Sequence, residues 1–337
     1  MDKMDSTTPT PVPISTLQTF TTTTLSLPTA TLTRQSKIEG DDHMIYLITE
    51  SPSHILRVTK PRPGENRLLP GFQMQAFDIA IRGLIREEYL SRGLDADLIP
   101  ASIGHKVMSE DGVYAASVET KLTGTGLHLD VEKNTSEATV RGLVELMRVM
   151  RGVDVRSLEE RLGVGFSVPS IPFPDLRVWR ERAILGWKRL IRLGQVDYGD
   201  QAEAEGLVER KTEFIQRIRD LSDHSCQVFI HNDIKGEHIL VDGCGRITGI
   251  LDWADAGIGC AATDIAGLVL TVGTRLATRI AAEVGYGEDE ILRGVMQARC
   301  ECVSRLDERL NGGDEFSPIP LLKDQLALSL EECELVW

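Results

Sequence analysis

Residues 227–270 read QVFIHNDIKGEHILVDGCGRITGILDWADAGIGCAATDIAGLVL. Two short apolar runs, 228–230 and 239–241, bracket a polar insert that holds His231, Asp233, Lys235 and His238. The turn Asp242-Gly243-Cys244-Gly245 leads into a third β-type run, 247–251, which ends at Asp252. Short apolar runs punctuated by Gly, Asp and Asn read as strands. The spacing therefore predicts strand, polar loop, strand, turn and strand, with two carboxylates at neighbouring strand ends. A base and a metal ligand are the two acidic groups that phosphoryl transfer requires.

Each polar residue of the stretch suits one task in that chemistry. Asp233, at the start of the loop, can accept the proton of an attacking hydroxyl and orient it in line with a γ-phosphate. Asp252 can hold a divalent cation; Mg²⁺ keeps several waters, so one or two protein ligands suffice. Lys235 offers a point positive charge near the transferred group. His231 reads as a hydrogen-bonding brace of the loop rather than a proton carrier. Taken one at a time, the same residues also describe an ordinary polar loop with a satisfied Asp–His pair. The combination and its spacing are more specific than any member.

Upstream, β-type text runs over 32–38, 44–49 and 54–58, with Gly40-Asp41-Asp42-His43 as the first turn. Such a turn can hold phosphates on backbone N–H groups, although a single glycine fits an ordinary hairpin equally. Residues 73–92 carry Phe77, Ile81, Leu84, Ile85 and Tyr89 at helical spacing, and two more strands are expected at 101–107 and 113–119. Lys121-Leu-Thr-Gly-Thr-Gly126 marks a boundary. Beyond it helical periodicity dominates, over 136–151, 175–193, 202–221, 263–272, 276–283, 288–309 and 319–332. Residues 1–30, rich in Thr, Ser and Pro, read as a flexible segment, with 15–27 open between a short helix and an added strand. The expected organisation is an N-lobe at 31–120 and a C-lobe at 121–337.

With 337 residues, 42% hydrophobic and 26% charged, the chain has the composition of a soluble globular protein. No apolar run is long enough to span a bilayer, and no secretory signal is evident, so no membrane partner and a cytoplasmic location are expected. The six cysteines are too scattered for a disulfide framework; Cys300 and Cys302 read as free thiols on a helix. A formal charge of −14 argues against nucleic-acid binding. It fits a cationic small-molecule partner, and equally a chain kept soluble by self-repulsion.

The text H-N-D-I-K-G-E-H-I-L-V-D, then G-I-L-D-W-A-D-A-G and T-D-I-A at 263–266, resembles the catalytic loop and metal-binding segment of the aminoglycoside phosphotransferase (APH) family. These are small-molecule kinases of protein-kinase-like fold. The resemblance implies an α+β bilobal architecture, with a small β-rich N-lobe of about five strands plus one helix and a larger, mainly helical C-lobe. The two lobes would be separated by a cleft. It implies transfer of the γ-phosphate of ATP or GTP, with Mg²⁺, to a hydroxyl of a small molecule such as an antibiotic or a metabolite. Under it Asp233 is the catalytic base, supported by Lys235 and His231. Asp252 and His238 become the metal ligands, and Gly40-Asp41-Asp42-His43 the phosphate-covering turn, with Gly40 and Asp41 at its tip. Arg57, in H-I-L-R-V, becomes the phosphate-clamping cation, with Glu87 as its helix partner and Glu88 as the alternative. A nucleobase-reading hinge falls on Val118, Glu119 and Lys121.

Three residues or segments depart from the family pattern. His238 stands where Asn is usual, and imidazole is a poorer ligand for hard Mg²⁺ than an amide oxygen. Some relatives that often use GTP also carry His there, so nucleotide choice stays open. Leu146-Met-Arg-Val-Met-Arg151 replaces a Leu-His helix end, and Lys235 matches the protein-kinase loop better than most of the family. A catalytically weak nucleotide-binding module and a choline-type or amino-alcohol kinase are the alternative readings. Among acidic residues that could meet a polyamine sugar are Glu301, Asp307, Glu308 and Asp314; a solvated helix face accounts for them as well.

Overall fold

The computed structural model describes residues 11–36, 42–60, 71–129, 136–156, 158–162, 167–196, 227–315 and 317–331. The chain forms two compact units, Met1–Thr123 and Gly124–Trp337. In the first, α1 (Ile14–Leu25) precedes β1 (Leu32–Arg34), β2 (His43–Ile48), β3 (His54–Thr59), α2 (Gly71–Ser91), β4 (Ser102–Val107) and β5 (Ala115–Thr120). The strands form one antiparallel sheet in the order β1-β2-β3-β5-β4. The segment left open between helix and strand is α1.

The two-residue period of a strand sorts this sheet into an apolar and an ionic face. Leu56 and Val58 pair across β3–β5 with Val118 and Ala116. These four join Ile48, Tyr114 and Leu17 of α1 in one buried cluster. The alternating residues Arg57, Ser117 and Glu119 belong to the opposite face, where α2 contributes the buried Gln75, Asp78 and Arg82 beside its apolar Phe77, Ile81, Leu84 and Ile85.

The second unit contains β6 (Thr125–Gly126), α3 (Glu137–Arg151), α4 (Leu158–Leu162), α5 (Leu176–Arg192), β7 (Gln227–Ile230), β8 (Ile239–Val241), β9 (Ile247–Ile250) and β10 (Gly257–Cys260). The helices α6 (Ala262–Val272), α7 (Thr274–Val284), α8 (Glu288–Asn311) and α9 (Ile319–Ser329) follow. Side-chain caps start two helices: Ser136 Oγ accepts from Thr139 N at 3.1 Å, and Asp175 accepts from Arg177 N at 2.9 Å. The apolar α6 is buried on nearly every residue, with α7, α8 and α9 packed against it. The helix expected at 202–221 lies outside the described residues. No described helix is long and apolar enough to cross a membrane.

Strand pairing departs from the expectation at one point. β7 pairs with β10, while β8 and β9 form a hairpin joined by β6. Asp233 and Asp252 therefore follow strands of different small sheets rather than neighbouring strands. β10, G-I-G-C, shows no alternation and is a strand only because the edge of β7 accepts it.

Candidate active site

The turn after β7 is built on a buried histidine and a buried aspartate. The backbone N–H groups of His231 and Asn232 donate to Asp264 Oδ2 and Oδ1 at 2.9 and 2.8 Å. Asn232 adopts φ 68°, a left-handed conformation that Asn tolerates better than most residues. Burial pushes the Asp264 carboxyl up to about 7, against the pull of its two N–H donors. The His231 ring is fully enclosed and lies 4.5 Å from the Trp253 ring. Burial, helped by the nearby His238, lowers its pKa to about 4, so it is neutral at pH 7. Its Nε2–H donates to the Leu251 carbonyl at 3.0 Å, leaving Nδ1 to accept the Asp233 N–H at 3.3 Å. Both nitrogens hold backbone, which makes His231 a brace.

Four groups, from the mostly buried His238 to the exposed Asp252, follow from that frame. Lys235 Nζ donates to Asp233 Oδ2 at 3.0 Å. His238 Nδ1 lies 2.9 Å from the Asp233 carbonyl and 3.4 Å from its Oδ2. A carbonyl can only accept, so Nδ1 carries a proton, while Nε2 lies 3.4 Å from Asp252 Oδ2. Asp252 itself sits at φ 65° where the chain leaves β9. The hydrogen bond from Leu251 N to His238 O, 2.8 Å, ties the two segments together.

Asp233, His238 and Asp252 each offer one ligand atom, all within 4.8 Å of one another. With Nε2 deprotonated, this imidazole nitrogen and the carboxylate oxygens would form a donor set that a divalent cation satisfies, with waters completing the shell. The residues thus fit Mg²⁺, with one nitrogen ligand in place of an oxygen.

α6 approaches this loop through a glycine. A Cβ on Gly267 would lie 2.0 Å from the Ile234 carbonyl oxygen, two residues before Gly236. Gly267→Ala is expected to cost about 1–3 kcal/mol through overpacking. Because the atom in the way is backbone of the loop that bears Asp233, turnover is expected to fall as much as ~100-fold. Thermal unfolding and initial rates measured together check this; wild-type rates in the variant would show that the loop tolerates displacement.

In the first unit the structure reassigns the partner of Arg57. Arg57 Nη1 pairs with Asp78 Oδ2 at 2.9 Å and with Glu119 Oε2 at 3.1 Å. Glu87, the expected partner, is exposed, and Glu88 pairs with Arg92 at 3.5 Å. Nine residues separate Asp78 from Glu87, about half a turn around a helix with 3.6 residues per turn. Only the Asp78 side of α2 faces the sheet. The Val118 and Glu119 positions also differ from a base-reading hinge. Both lie in β5, flanked by β3 and β4, whose ladders engage its backbone. The N–H groups of Thr120 and Lys121 donate to Ala101 O and Ser53 O at 2.9 and 2.8 Å. Of the expected phosphate-covering turn, Gly40 and Asp41 lie outside the described residues, and His43 belongs to β2, paired with Thr59 of β3.

Glu119 is fully buried. Burial raises its pKa, but Arg57, Arg82 and the Ser117 hydroxyl more than offset this and hold it at about 2, against an ordinary value of 4.5. A carboxylate with a depressed folded-state pKa stabilises fully above its unfolded value and loses that contribution as pH falls through the folded one. Acid should therefore weaken the fold between about pH 4.5 and pH 2, by on the order of 3 kcal/mol at ~1.4 kcal/mol per unit. Urea unfolding across this window checks it. Glu119→Gln should flatten the acid limb, and an unchanged limb in that variant would assign the loss elsewhere.

Comparison with known proteins accords with this geometry. Residues 89–298 match the model of APH, the phosphotransferase enzyme family. A 73-residue stretch is 34% identical to viomycin phosphotransferase of Streptomyces vinaceus, covering 21% of this chain and a quarter of that protein's length. Among solved structures, the GDP complex of wild-type aminoglycoside 2'-phosphotransferase-IIIa superposes with a TM-score of 0.53 at 18% identity, over 92% of this chain and 95% of that one. The GDP and kanamycin complex of APH(2")-IIia gives the same score and identity, over 92% and 96%. These structures share the fold: a five-stranded antiparallel sheet followed by a mainly helical part. With the family model spanning more than half of its length, the chain belongs to the phosphotransferase enzyme family.

Proposed function

We propose that this chain moves the γ-phosphate of ATP or GTP to a hydroxyl of a small, cationic acceptor. The observation that carries the reading is Asp233, held by Lys235 and linked through His238 to Asp252, in a chain of this family. Asp233 accepts the proton of the attacking hydroxyl. Lys235 sets the orientation of that carboxylate and adds positive charge beside it. Asp252 and His238 Nε2 would hold Mg²⁺, which when bound neutralises phosphate charge and bridges phosphate oxygens. Arg57 is assigned to the nucleotide phosphates, and the base-reading backbone to residues 122–123, just past β5. The first unit thereby binds nucleotide, and the second carries the base, the metal ligands and the acceptor site.

A cationic acceptor is supported by the charge of −14. Burial raises the Glu301 pKa, Arg305 opposes this, and the Asp233 charge adds to the rise, so Glu301 lies within electrostatic reach of the catalytic loop. The other acids considered have different tasks. Asp307 pairs with Arg189 at 3.5 Å, Glu308 pairs with Arg182, and Asp314 accepts from Ser317 N at 3.0 Å.

The test is a screen of the purified protein with Mg²⁺ and either ATP or GTP. The panel comprises aminoglycosides, viomycin-type peptides, macrolides and amino alcohols, with products read by mass spectrometry. Phosphorylation of one class is expected. No product with any acceptor, together with no metal-dependent nucleotide hydrolysis, would leave a nucleotide-binding module and overturn the enzyme reading.

A further inference from the structure

The phosphate-clamping cation assigned above does not stand in a simple ion pair. Arg57 meets Asp78 and Glu119 at 2.9 and 3.1 Å, and its Nη2 lies 3.1 Å from His43 Nδ1. Behind it, Arg82 grips Glu119 with both ends of its fork, Nη1 to Oε2 at 3.0 Å and Nη2 to Oε1 at 2.8 Å. Arg82 Nη2 also reaches Asp78 Oδ2 at 3.1 Å, and Nη1 donates to the Pro100 carbonyl at 2.9 Å. Ser117 Oγ donates to Glu119 Oε1 at 2.6 Å and accepts from Gln75 Nε2 at 3.2 Å. Side-chain exposure is 1% for Asp78 and Glu119 and 2% for Arg82, but 14% for Arg57. Among the described residues, two guanidinium and two carboxylate groups thus form a layer of zero formal charge, of which Arg57 is the most exposed member.

Two carboxylates facing Arg57 alone would cancel its charge and leave an excess negative charge in the layer. Arg82 prevents this, because its bidentate grip is the stronger claim on Glu119. We infer that Arg82 and Glu119 are positioning residues for nucleotide binding: as a second ion pair behind Arg57, they fix its orientation and determine how much positive charge it presents to phosphate. The inference rests on the functional reading above and adds two residues to it.

The two members of the pair have opposite effects on the charge that Arg57 presents. Removing Arg82 leaves the layer at −1, and removing the Glu119 charge leaves it at +1. Arg82→Met should therefore weaken nucleotide binding, and Glu119→Gln should strengthen it, each by roughly three- to tenfold for a unit charge acting through a partly screened medium. A network that only supports the fold would give weaker binding in both. The double variant R82M/E119Q removes a buried pair together, which folds tolerate better than the loss of one partner; its Kd should return to within about twofold of wild type.

The experiment titrates N-methylanthraniloyl-ADP and N-methylanthraniloyl-GDP, with Mg²⁺, into wild type and the three variants, each first shown to unfold cooperatively. Opposite shifts of the single variants support the inference. Should Arg82→Met not fold, Glu119→Gln and the double variant decide: tighter binding reversed in the double supports it. Weaker or unchanged binding by Glu119→Gln overturns it, with the functional reading intact. A folded wild type that binds neither nucleotide overturns the functional reading and this inference with it.

Discussion

Asp233→Asn is expected to lower phosphoryl transfer by two to four orders of magnitude, the range over which a positioned general base contributes. The substitution is nearly isosteric, and an amide cannot accept the proton of the attacking hydroxyl. It also dissolves the 3.0 Å pairing with Lys235. The frame behind the residue does not depend on its carboxylate: the Asp233 N–H bonds to His231, and its carbonyl accepts from His238. Loop geometry and nucleotide affinity should therefore persist, with the loss confined to kcat. Initial rates alongside direct nucleotide binding separate the two. Transfer within tenfold of wild type would move the base to another residue.

Asp252→Ala should abolish metal-dependent turnover, a drop of at least about a thousandfold when the main electrostatic stabiliser of the reaction is lost. Once this carboxylate is removed, the cluster keeps only His238 and the base Asp233, and imidazole is a poor match for hard Mg²⁺. His238→Asn should behave differently, because an amide oxygen can replace the imidazole nitrogen, and activity with Mg²⁺ should survive. Mn²⁺ binding followed by electron paramagnetic resonance gives a readout independent of catalysis: weak in Asp252→Ala, retained in His238→Asn. Retained turnover in Asp252→Ala would remove Asp252 from the metal site.

Much of the site was legible because its residues lie close together in the chain. His231, Asp233, Lys235 and His238 fall within eight residues, and the hydrogen bonds that arrange them run mostly to backbone of the same loop or of the hairpin that follows. The strands around them show in the apolar runs. Asp264 was visible as part of the T-D-I-A text, but not its task of receiving two N–H groups from a loop 32 and 33 residues earlier. Nothing in the local text signals Gly267, whose importance lies in how closely α6 approaches Ile234.

The sequence by itself determined the family and most of the strand–helix order among the described residues, because local spacing and backbone periodicity act over a few residues. The tertiary structure decided what Arg57 touches. Alternation along β3 and β5 puts Arg57, Ser117 and Glu119 on one face, but which side of α2 meets that face depends on how the helix docks. Apolar residues at 77, 81, 84, 85 and 89 define a broad stripe, and the polar positions at its edge, Asp78 and Arg82, are turned inward with it. Docking places Asp78 rather than Glu87 beside Arg57. Three charges can be buried there, with Arg57 partly so, because opposite charges meet within about 3 Å, where pairing offsets the cost of leaving water.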